Sequence, residues 1–256
     1  MNVLWIFAHP EERSLNAALR DEGLRALPEF GHDHRVSDLY AMKWNPVVDY
    51  TDYATDDGER LLIPAASQRA CESGRLPAEV VAEQEKLEWA DAIVVQFPLW
   101  WAGVPAILKG WFDRVLVKGF GYGVTAPDGT VLRYGEGKLS GKRAMVVTTI
   151  GARGSGMGVR GLHGALDDVL FPVNHGTFWY TGIAPLEPFA VYGADRLDEA
   201  GFAAAAAGLR ERLRTLATAE PIPYRYQNGG DYDENSVLRE DIAPGRTDLA
   251  VHLRDG

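Results

Sequence analysis

The sequence predicts an α/β fold, namely a doubly wound, five-stranded parallel sheet with helices on both faces, followed by a C-terminal extension. Short apolar runs alternate with helical patterns along residues 1–220, the order that builds parallel sheets through right-handed crossovers. These runs are continuously apolar, as strands buried on both faces are. Residues 221–256 are polar and aperiodic, which indicates an extended tail rather than a second domain.

The first part of the chain predicts two strands and three helices. An apolar run over 3–8 is the first strand, and leucines at helical spacing behind it predict the first helix. The second strand is expected over 34–39, and two further helices over 65–74 and 78–89. Residues 39–64 lack periodicity, and aperiodic excursions of this length in a compact domain are usually functional or wrap around a partner.

The central element is a strand that is followed by an apolar turn and a helix. The apolar run 92–97 predicts the third strand, which Pro98 ends, and apolar residues recur at every fourth position behind Pro105 in a predicted helix over 106–116. The turn between them, 98–103, is apolar and contains two tryptophans, whereas surface turns are normally built from small polar residues. We therefore expect a flat, apolar ligand beside this turn.

The fourth predicted strand, 143–150, runs into a glycine-rich loop. Residues 156–161 of that loop formally match the dinucleotide-binding pattern G-x-G-x-x-G. About half a dozen residues separate this match from the strand, whereas the first glycine of a true fingerprint follows the first strand at once. The loop is better interpreted as backbone that can approach a ligand closely, because glycine has no side chain to block the approach.

The remaining elements complete the predicted sheet and its cover. A helix over 162–170 carries His163 near its start, the fifth strand is expected over 184–192, and an alanine-rich helix over 197–219 closes the domain. A histidine near a helix start is often structural, so that alternative stays open for His163.

Composition limits the function classes. The formal net charge of -10 argues against a nucleic-acid partner, since phosphate binding normally requires a basic face. Cys71 is the single cysteine, which excludes an internal disulfide and a cysteine-built metal cluster, and we expect no metal site. The sequence offers no basic leader and no apolar run of about 20 residues, so a cytoplasmic protein without a membrane span is expected.

Three unusual loops follow the first, third and fourth strands. If the strand order is flavodoxin-like, these strands are neighbours and their loops converge at the carboxyl edge of the sheet. The first loop places Ser14 and Asn16 at a helix N-terminus that can hold an anion, although either residue could merely cap the helix. The second loop offers a flat apolar wall, and the third offers backbone donors. Together they suit a flavin nucleotide.

Several motifs, in order along the chain, carry a family resemblance: AHPEERSLNAA, SDLYAMKWNP, QFPLWWAGVPAILKGWFDRV, TTIGARG, GLHG and LEP. The chain resembles the NAD(P)H:quinone acceptor oxidoreductases, the flavoproteins of the DT-diaphorase and modulator-of-drug-activity type. The resemblance runs from about Val3 to about Pro188 and implies a flavodoxin-like fold for the domain predicted over 1–220, and a homodimer. It also implies FAD as cofactor, with FMN the less common choice, NAD(P)H as co-substrate, and a quinone as acceptor.

The resemblance also assigns roles to residues of this chain. It implies that His163 is the active-site histidine. Our own hypothesis is that Gly151 is also catalytic, since fixed backbone donors from Gly151 and its neighbours would stabilise negative charge on the reduced flavin. The substrate pocket would contain Tyr122, Val124, Met157 and Tyr180. The cofactor-binding positions are His9, Ser14, Leu15, Asn16, Ala18, Pro98, Leu99, Trp100, Trp101, Ala102, Thr148, Thr149, Ile150 and Gly151.

Three positions depart from the family's vertebrate members. Met157 and Val124 replace tyrosines, and Trp100 replaces a glutamine, so the acceptor range and the handling of the proton can differ. Trp100 and Trp101 could instead belong to the core or to a dimer seam, Tyr122 and Tyr180 could be packing aromatics, and His9 could cap a turn.

The expected activity is a two-step hydride transfer from NAD(P)H through the flavin to a quinone, by a ping-pong mechanism. Reduction of azo or nitro compounds is one alternative. A regulatory or electron-transfer module without its own turnover is another. No arginine can be tied to a 2′-phosphate, so the sequence does not distinguish NADH from NADPH, and it does not identify the natural acceptor.

Overall fold

The computed structural model describes residues 1–53 and 60–254. A parallel sheet with the order β2-β1-β3-β6-β7 forms its centre, and β8 also pairs with β6. The α/β fold class and the flavodoxin-like order are confirmed, with β3 between β1 and β6. The strands are β1 Asn2–Phe7, β2 Asp33–Asp38, β3 Ala92–Pro98, β4 Val124–Thr125, β5 Val131–Leu132, β6 Arg143–Ile150, β7 Ala184–Pro185 and β8 Phe189–Tyr192.

Helices cover both faces of the sheet, as predicted. They are α1 Leu15–Glu29, α2 Ile63–Glu72, α3 Ala78–Trp89, α4 Ala106–Val115, α5 Leu166–Val173 and α6 Glu199–Arg214. Alternate residues of β1 belong to two separate cores, with Trp5 on the side of α1 and α6 and Leu4 on the side of α2 to α5. Strands buried on both faces explain why the sequence shows continuous apolar runs instead of alternation.

The predicted helix that carried His163 begins later than expected. α5 starts at Leu166, so His163 lies in the turn before it and not in its first turn. Gly164 adopts a left-handed backbone with φ +80°, which a right-handed helix cannot contain. The prediction of a helix over 162–170 was therefore wrong at its start, and α5 continues into a π-helical segment, Asn174–Trp179.

The fifth strand is split. Its first piece, β7, pairs with the start of β6 and its second piece, β8, pairs with the end. Pro188 lies between the two pieces and has no N–H to donate to a strand ladder. The short β4–β5 hairpin was not predicted, because two-residue strands leave no measurable periodicity.

A buried ion pair holds the aperiodic excursion against the domain. Asp52 accepts from Arg114 Nε at 3.0 Å, and the two side chains are almost completely buried. The Arg114 guanidinium also lies over the Trp44 ring, 4.9 Å from its centroid. Part of the excursion, residues 54–59, lies outside the described residues.

The tail beyond residue 220 folds back on itself and onto the domain. Tyr224 and Leu253 form an antiparallel bridge, and Arg225 N donates to His252 O at 2.9 Å. The backbone oxygen of Arg225 accepts from Trp179 Nε1 at 2.9 Å, which ties the tail to the segment after α5. The division of the chain into 1–220 and 221–256 remains a prediction.

Within residues 1–53 and 60–254, none of the helices combines the length and the apolar character that a bilayer crossing needs.

Candidate active site

The loops after β1, β3 and β6 meet at one edge of the sheet. Ala8 N donates to Gln96 O at 3.0 Å, and Leu99 N donates to Thr149 O at 2.9 Å, so the hydrogen-bonded register of the strands continues into the loops. Because β3 lies between its two neighbours, its loop lies between theirs. This is the convergence that the sequence predicted.

A cleft of about 170 Å³ lies at this edge. Six residues predicted for the site line it, together with Ala152 and Val169: Leu99, Ala102, Ile150, Gly151, Met157 and His163. The residues contributed by the β3 turn, the β6 loop and the glycine-rich loop thus form a single pocket. Met157 is almost fully buried, so its side chain forms a wall of the cleft.

The loop after β1 is held by a buried polar network. Asn16 Nδ2 donates to Thr149 Oγ1 at 2.8 Å, and Asn16 O accepts from Gln96 Nε2 at 2.7 Å. Gln96 Oε1 in turn accepts from Trp5 Nε1 at 2.9 Å. Sequence reasoning missed Gln96, although a glutamine inside an otherwise apolar strand is a visible signal for a buried polar role.

Ser14 caps helix α1. Its hydroxyl accepts from Ala17 N at 3.1 Å, and Ala18 N donates to Ser14 O at 3.0 Å, so the capping alternative is correct for this residue. The N–H groups of Leu15 and Asn16 have no partner among residues 1–53 and 60–254. This helix end therefore retains two donors for an anion.

His9 forms a local turn beside the aromatic loop. Its Nδ1 accepts from Glu11 N at 3.1 Å, and its ring centroid is 6.2 Å from that of Trp100. The turn-capping alternative thus describes its hydrogen bond, while its ring lies next to the turn after β3.

The turn after β3 is a tight reversal with a strained backbone. Trp100 and Gly103 exchange both backbone hydrogen bonds, at 3.1 and 3.0 Å. The two central residues, Trp101 and Ala102, have φ values of 52° and 55°, a conformation that favours glycine. Trp101 is fully exposed, which excludes the alternative that it belongs to the core of this chain. Strain of this kind clusters at functional sites.

The glycine-rich loop positions His163. His163 N donates to Gly156 O at 3.1 Å. A Cβ on Gly161 would lie 2.2 Å from that same oxygen, and a Cβ on Gly156 would lie 3.2 Å from His163 Cδ2. Two glycines of the formal dinucleotide pattern therefore serve the close packing of this loop, and the His163 side chain is exposed at the cleft.

A loop that the sequence did not implicate supports Gly151. Arg196 Nη2 donates to Gly151 O at 2.7 Å, and Gly193 N donates to Ala152 O at 2.9 Å. Both donors follow β8. No local pattern predicts these contacts, because they join segments that are far apart in the sequence.

Of the four predicted substrate residues, Met157 lines the cleft and the other three lie apart from it. Tyr122 and Tyr180, with ring centroids 6.5 Å apart, line a separate cavity of about 170 Å³ whose lining shares no residue with the His163 cleft. Burial raises the pKa of the Tyr122 phenol, which therefore stays protonated at neutral pH. Val124 lies in β4, outside the linings of both cavities.

Unpartnered polar atoms near the same edge of the sheet, outside the lining of the cleft itself, fit a polar cofactor. Asn16 Oδ1 and Thr148 Oγ1 are buried and have no hydrogen-bond partner among the described residues. Buried polar groups normally have partners, so these atoms and the two free N–H groups of α1 indicate a ligand with hydroxyl and anionic groups. A flavin nucleotide meets this requirement, with an apolar ring system for the Leu99 side of the cleft.

Comparison with known proteins agrees with this geometry. A family model described as a flavodoxin-like fold matches residues 1–213, and the chain belongs to that family. Within it, the chain is a member of the NAD(P)H:quinone oxidoreductases, as the sequence resemblance predicted.

Three relatives illustrate the membership. The ribosyldihydronicotinamide dehydrogenase-like protein traD of Penicillium crustosum is 46% identical over 91% of this chain and 87% of its own length. The NAD(P)H dehydrogenase [quinone] 1 of Rattus norvegicus is 37% identical over 86% of this chain and 79% of its own. A solved structure from Klebsiella pneumoniae, provisionally assigned as a quinone reductase, is 47% identical and superposes with a TM-score of 0.95, covering 99% of this chain and 100% of that one.

Proposed function

We propose that the protein is a flavin-dependent NAD(P)H:quinone oxidoreductase that uses FAD. When bound, the flavin would take a hydride from NAD(P)H and then deliver it to a quinone in a second, separate half-reaction. The observation that carries this proposal is the single cleft formed by Leu99, Ala102, Gly151, Met157 and His163. Family membership supports it, since named relatives are quinone dehydrogenases.

The chain's own residues would divide the work of binding. The free N–H groups of Leu15 and Asn16 would bind the cofactor phosphate at the positive end of helix α1. Asn16 Oδ1 would accept a hydrogen bond from a hydroxyl group of the cofactor, and the Thr148 hydroxyl would donate or accept one. The turn around Trp100 would cover the apolar ring.

Gly151 and His163 would act where negative charge develops. The β6 loop presents Gly151 at the cleft, and its position is fixed from behind by Arg196. A preorganised backbone N–H stabilises developing charge without having to reorganise. The exposed imidazole of His163 lines the same cleft and would hold or deliver a proton there.

We also propose that the active unit is a homodimer with shared sites. Tyr122 and Tyr180 line a cavity separate from the His163 cleft of the same chain. Large apolar side chains are exposed around that cleft: Trp101, Val159 and Leu162. A second copy would cover this apolar surface and could bring its Tyr122 pocket to the cleft.

The test is reconstitution followed by steady-state turnover. The purified protein should bind FAD, become yellow, and oxidise NADH or NADPH with menadione as acceptor. Dihydronicotinamide riboside should be assayed as a third donor because of the relative named for it, and an azo dye and a nitro compound as alternative acceptors.

Each outcome has a defined meaning. Protein that takes up neither FAD nor FMN would refute the site, and binding of FMN alone would correct the cofactor. A flavin-loaded protein without turnover with any donor and acceptor would favour an electron-transfer or regulatory module.

A further inference from the structure

A third cavity, of about 480 Å³, lies between the tail, the segment after β5, and α5 with the π-helical segment that follows it. It shares no lining residue with the His163 cleft. The tail contributes Arg225, Tyr232 and His252, and the domain contributes Arg133 and Phe171. Its volume lies within the range of about 300–1,000 Å³ that is usual for small-molecule sites.

The walls of this tail cavity are aromatic. The rings of Phe171 and His175 stack with centroids 4.5 Å apart and an interplanar angle of 18°. The His252 ring stacks on His175 in turn, at 5.4 Å and 30°. Tyr232 Oη and His252 Nδ1 share a hydrogen bond of 2.9 Å, which fixes the orientation of that imidazole. Flat walls of this kind favour a planar ligand.

The two imidazoles carry no charge at neutral pH. Burial, with a smaller contribution from His252, lowers the pKa of His175 to about 4. Burial also lowers the pKa of His252, assisted by the nearby Arg225. The charge of the cavity therefore comes from its arginines.

The arginines make the cavity positive in an acidic protein. Arg225 Nη1 is paired with Asp231 Oδ2 at 2.9 Å, whereas Arg133 Nε donates to the neutral amide of Gln227. No aspartate or glutamate of the described ranges lines the cavity, although the chain as a whole has a net charge of -10. Arg133 is thus a cation without a carboxylate partner in the part of the chain that the structure describes.

We propose that the tail cavity binds a planar aromatic molecule of two or three fused rings that carries one carboxylate or sulfonate group. Phe171, His175 and Tyr134 would contact its ring faces, and the Arg133 guanidinium would bind its anionic group. This site is separate from the His163 cleft, adjoins the Tyr122 and Tyr180 cavity at Gly176, and does not depend on the proposed activity.

The experiment is calorimetric titration of the full-length, flavin-reconstituted protein with three probes. Naphthalene-2-sulfonate carries both the rings and the charge, naphthalene-2-methanol only the rings, and inorganic sulfate only the charge. We expect the sulfonate to bind at least tenfold more tightly than either of the others. Equal affinity for the neutral alcohol would overturn the proposal.

Variants locate the binding site. Arg133→Gln should weaken sulfonate binding about tenfold or more, since a charge-assisted hydrogen bond is lost, and should leave binding of the alcohol unchanged. Arg133→Lys should retain part of the affinity. Arg69→Gln removes the same charge from the exposed surface of α2 and should have no effect. Sulfonate binding that is unchanged in Arg133→Gln would refute the site.

A separate variant tests the aromatic wall. Phe171→Leu removes the ring but keeps an apolar side chain, so it should weaken both naphthalene probes severalfold. If neither probe loses affinity in this variant, the rings are bound elsewhere and the proposal fails.

Discussion

Gln96 shows how one buried side chain can organise a site that it does not line. Its two hydrogen bonds link Trp5 on β1 to the backbone of Asn16. Gln96→Leu leaves the Trp5 indole N–H and the Asn16 carbonyl without these partners, and each loss costs about 1–3 kcal/mol. We expect a free energy of unfolding lower by about 2–4 kcal/mol and weaker flavin binding. Urea denaturation and flavin titration measure both effects.

A matched control separates this effect from the loss of any amide. Gln68, whose Nε2 donates to Glu72 Oε1 on the surface of α2, offers a comparable bond in water. Gln68→Leu should change the free energy of unfolding by less than about 0.5 kcal/mol. Equal losses of unfolding free energy in the two variants would show that the buried network around Gln96 contributes no more than a surface amide bond.

His163 provides the residue-scale test of the proposed chemistry. The His163→Ala variant should keep the flavin, because no contact to the α1 end is lost, but should slow flavin reduction about 10²-fold. This is the low end for general acid–base catalysis, because Gly151 remains as a backbone donor. Stopped-flow absorbance measures the rate. His34→Ala on β2 is the control, and a rate unchanged in His163→Ala would make His163 structural.

At the scale of elements, the sequence predicted the long strands and helices with a repeating pattern of apolar residues, and it missed short features that occur only once. The long strands β1, β3 and β6 and helix α1 carry many residues with one pattern, and their positions agreed to within about two residues. The β4–β5 hairpin and the break between β7 and β8 involve too few residues for any periodicity. The late start of α5 depends on the φ of Gly164, which a glycine permits but does not require.

The strained turn after β3 allows a test of backbone conformation alone. Ala102 has a left-handed backbone, which costs a non-glycine residue about 1–2 kcal/mol, so Ala102→Gly should raise the free energy of unfolding of the flavin-free protein by about 1 kcal/mol. Ala126, in the hairpin loop, has no such backbone, and Ala126→Gly should be neutral or destabilising. Urea denaturation compares them, and destabilisation by Ala102→Gly would argue against strain.

At the scale of the whole molecule, the strand order decided how much of the site could be foreseen. Once β3 was expected between β1 and β6, the loops after these strands had to converge. This made it possible to predict site residues such as Leu99 and His163. The separate cavity of Tyr122 and Tyr180 did not follow, because it depends on how the segment after α5 packs. The tail contacts of Trp179 depend on packing between distant segments and leave no local pattern.

The proposed shared site predicts complementation between subunits. A subunit with His163→Ala and a subunit with Tyr122→Ala should each form impaired homodimers. A mixed dimer would contain one site with both residues intact and one with both replaced, so turnover should reappear. Differently tagged subunits, purified as confirmed hybrids, allow the measurement. A monomer by light scattering, or hybrids without recovery, would count against sharing.

The proposed shared site has an evolutionary consequence, because its two parts, the His163 cleft and the Tyr122 and Tyr180 cavity, differ in how they are built. The cleft beside His163 includes Gly151, which has no side chain, and the turn residue Ala102, whose backbone is left-handed. The other cavity is lined by large side chains such as Tyr122, Tyr180 and Phe112. Substitution can alter side chains freely while the main chain keeps its course. Descendants of such an enzyme could therefore change their electron acceptor through side-chain substitutions while keeping the half-reaction in which NAD(P)H reduces the flavin.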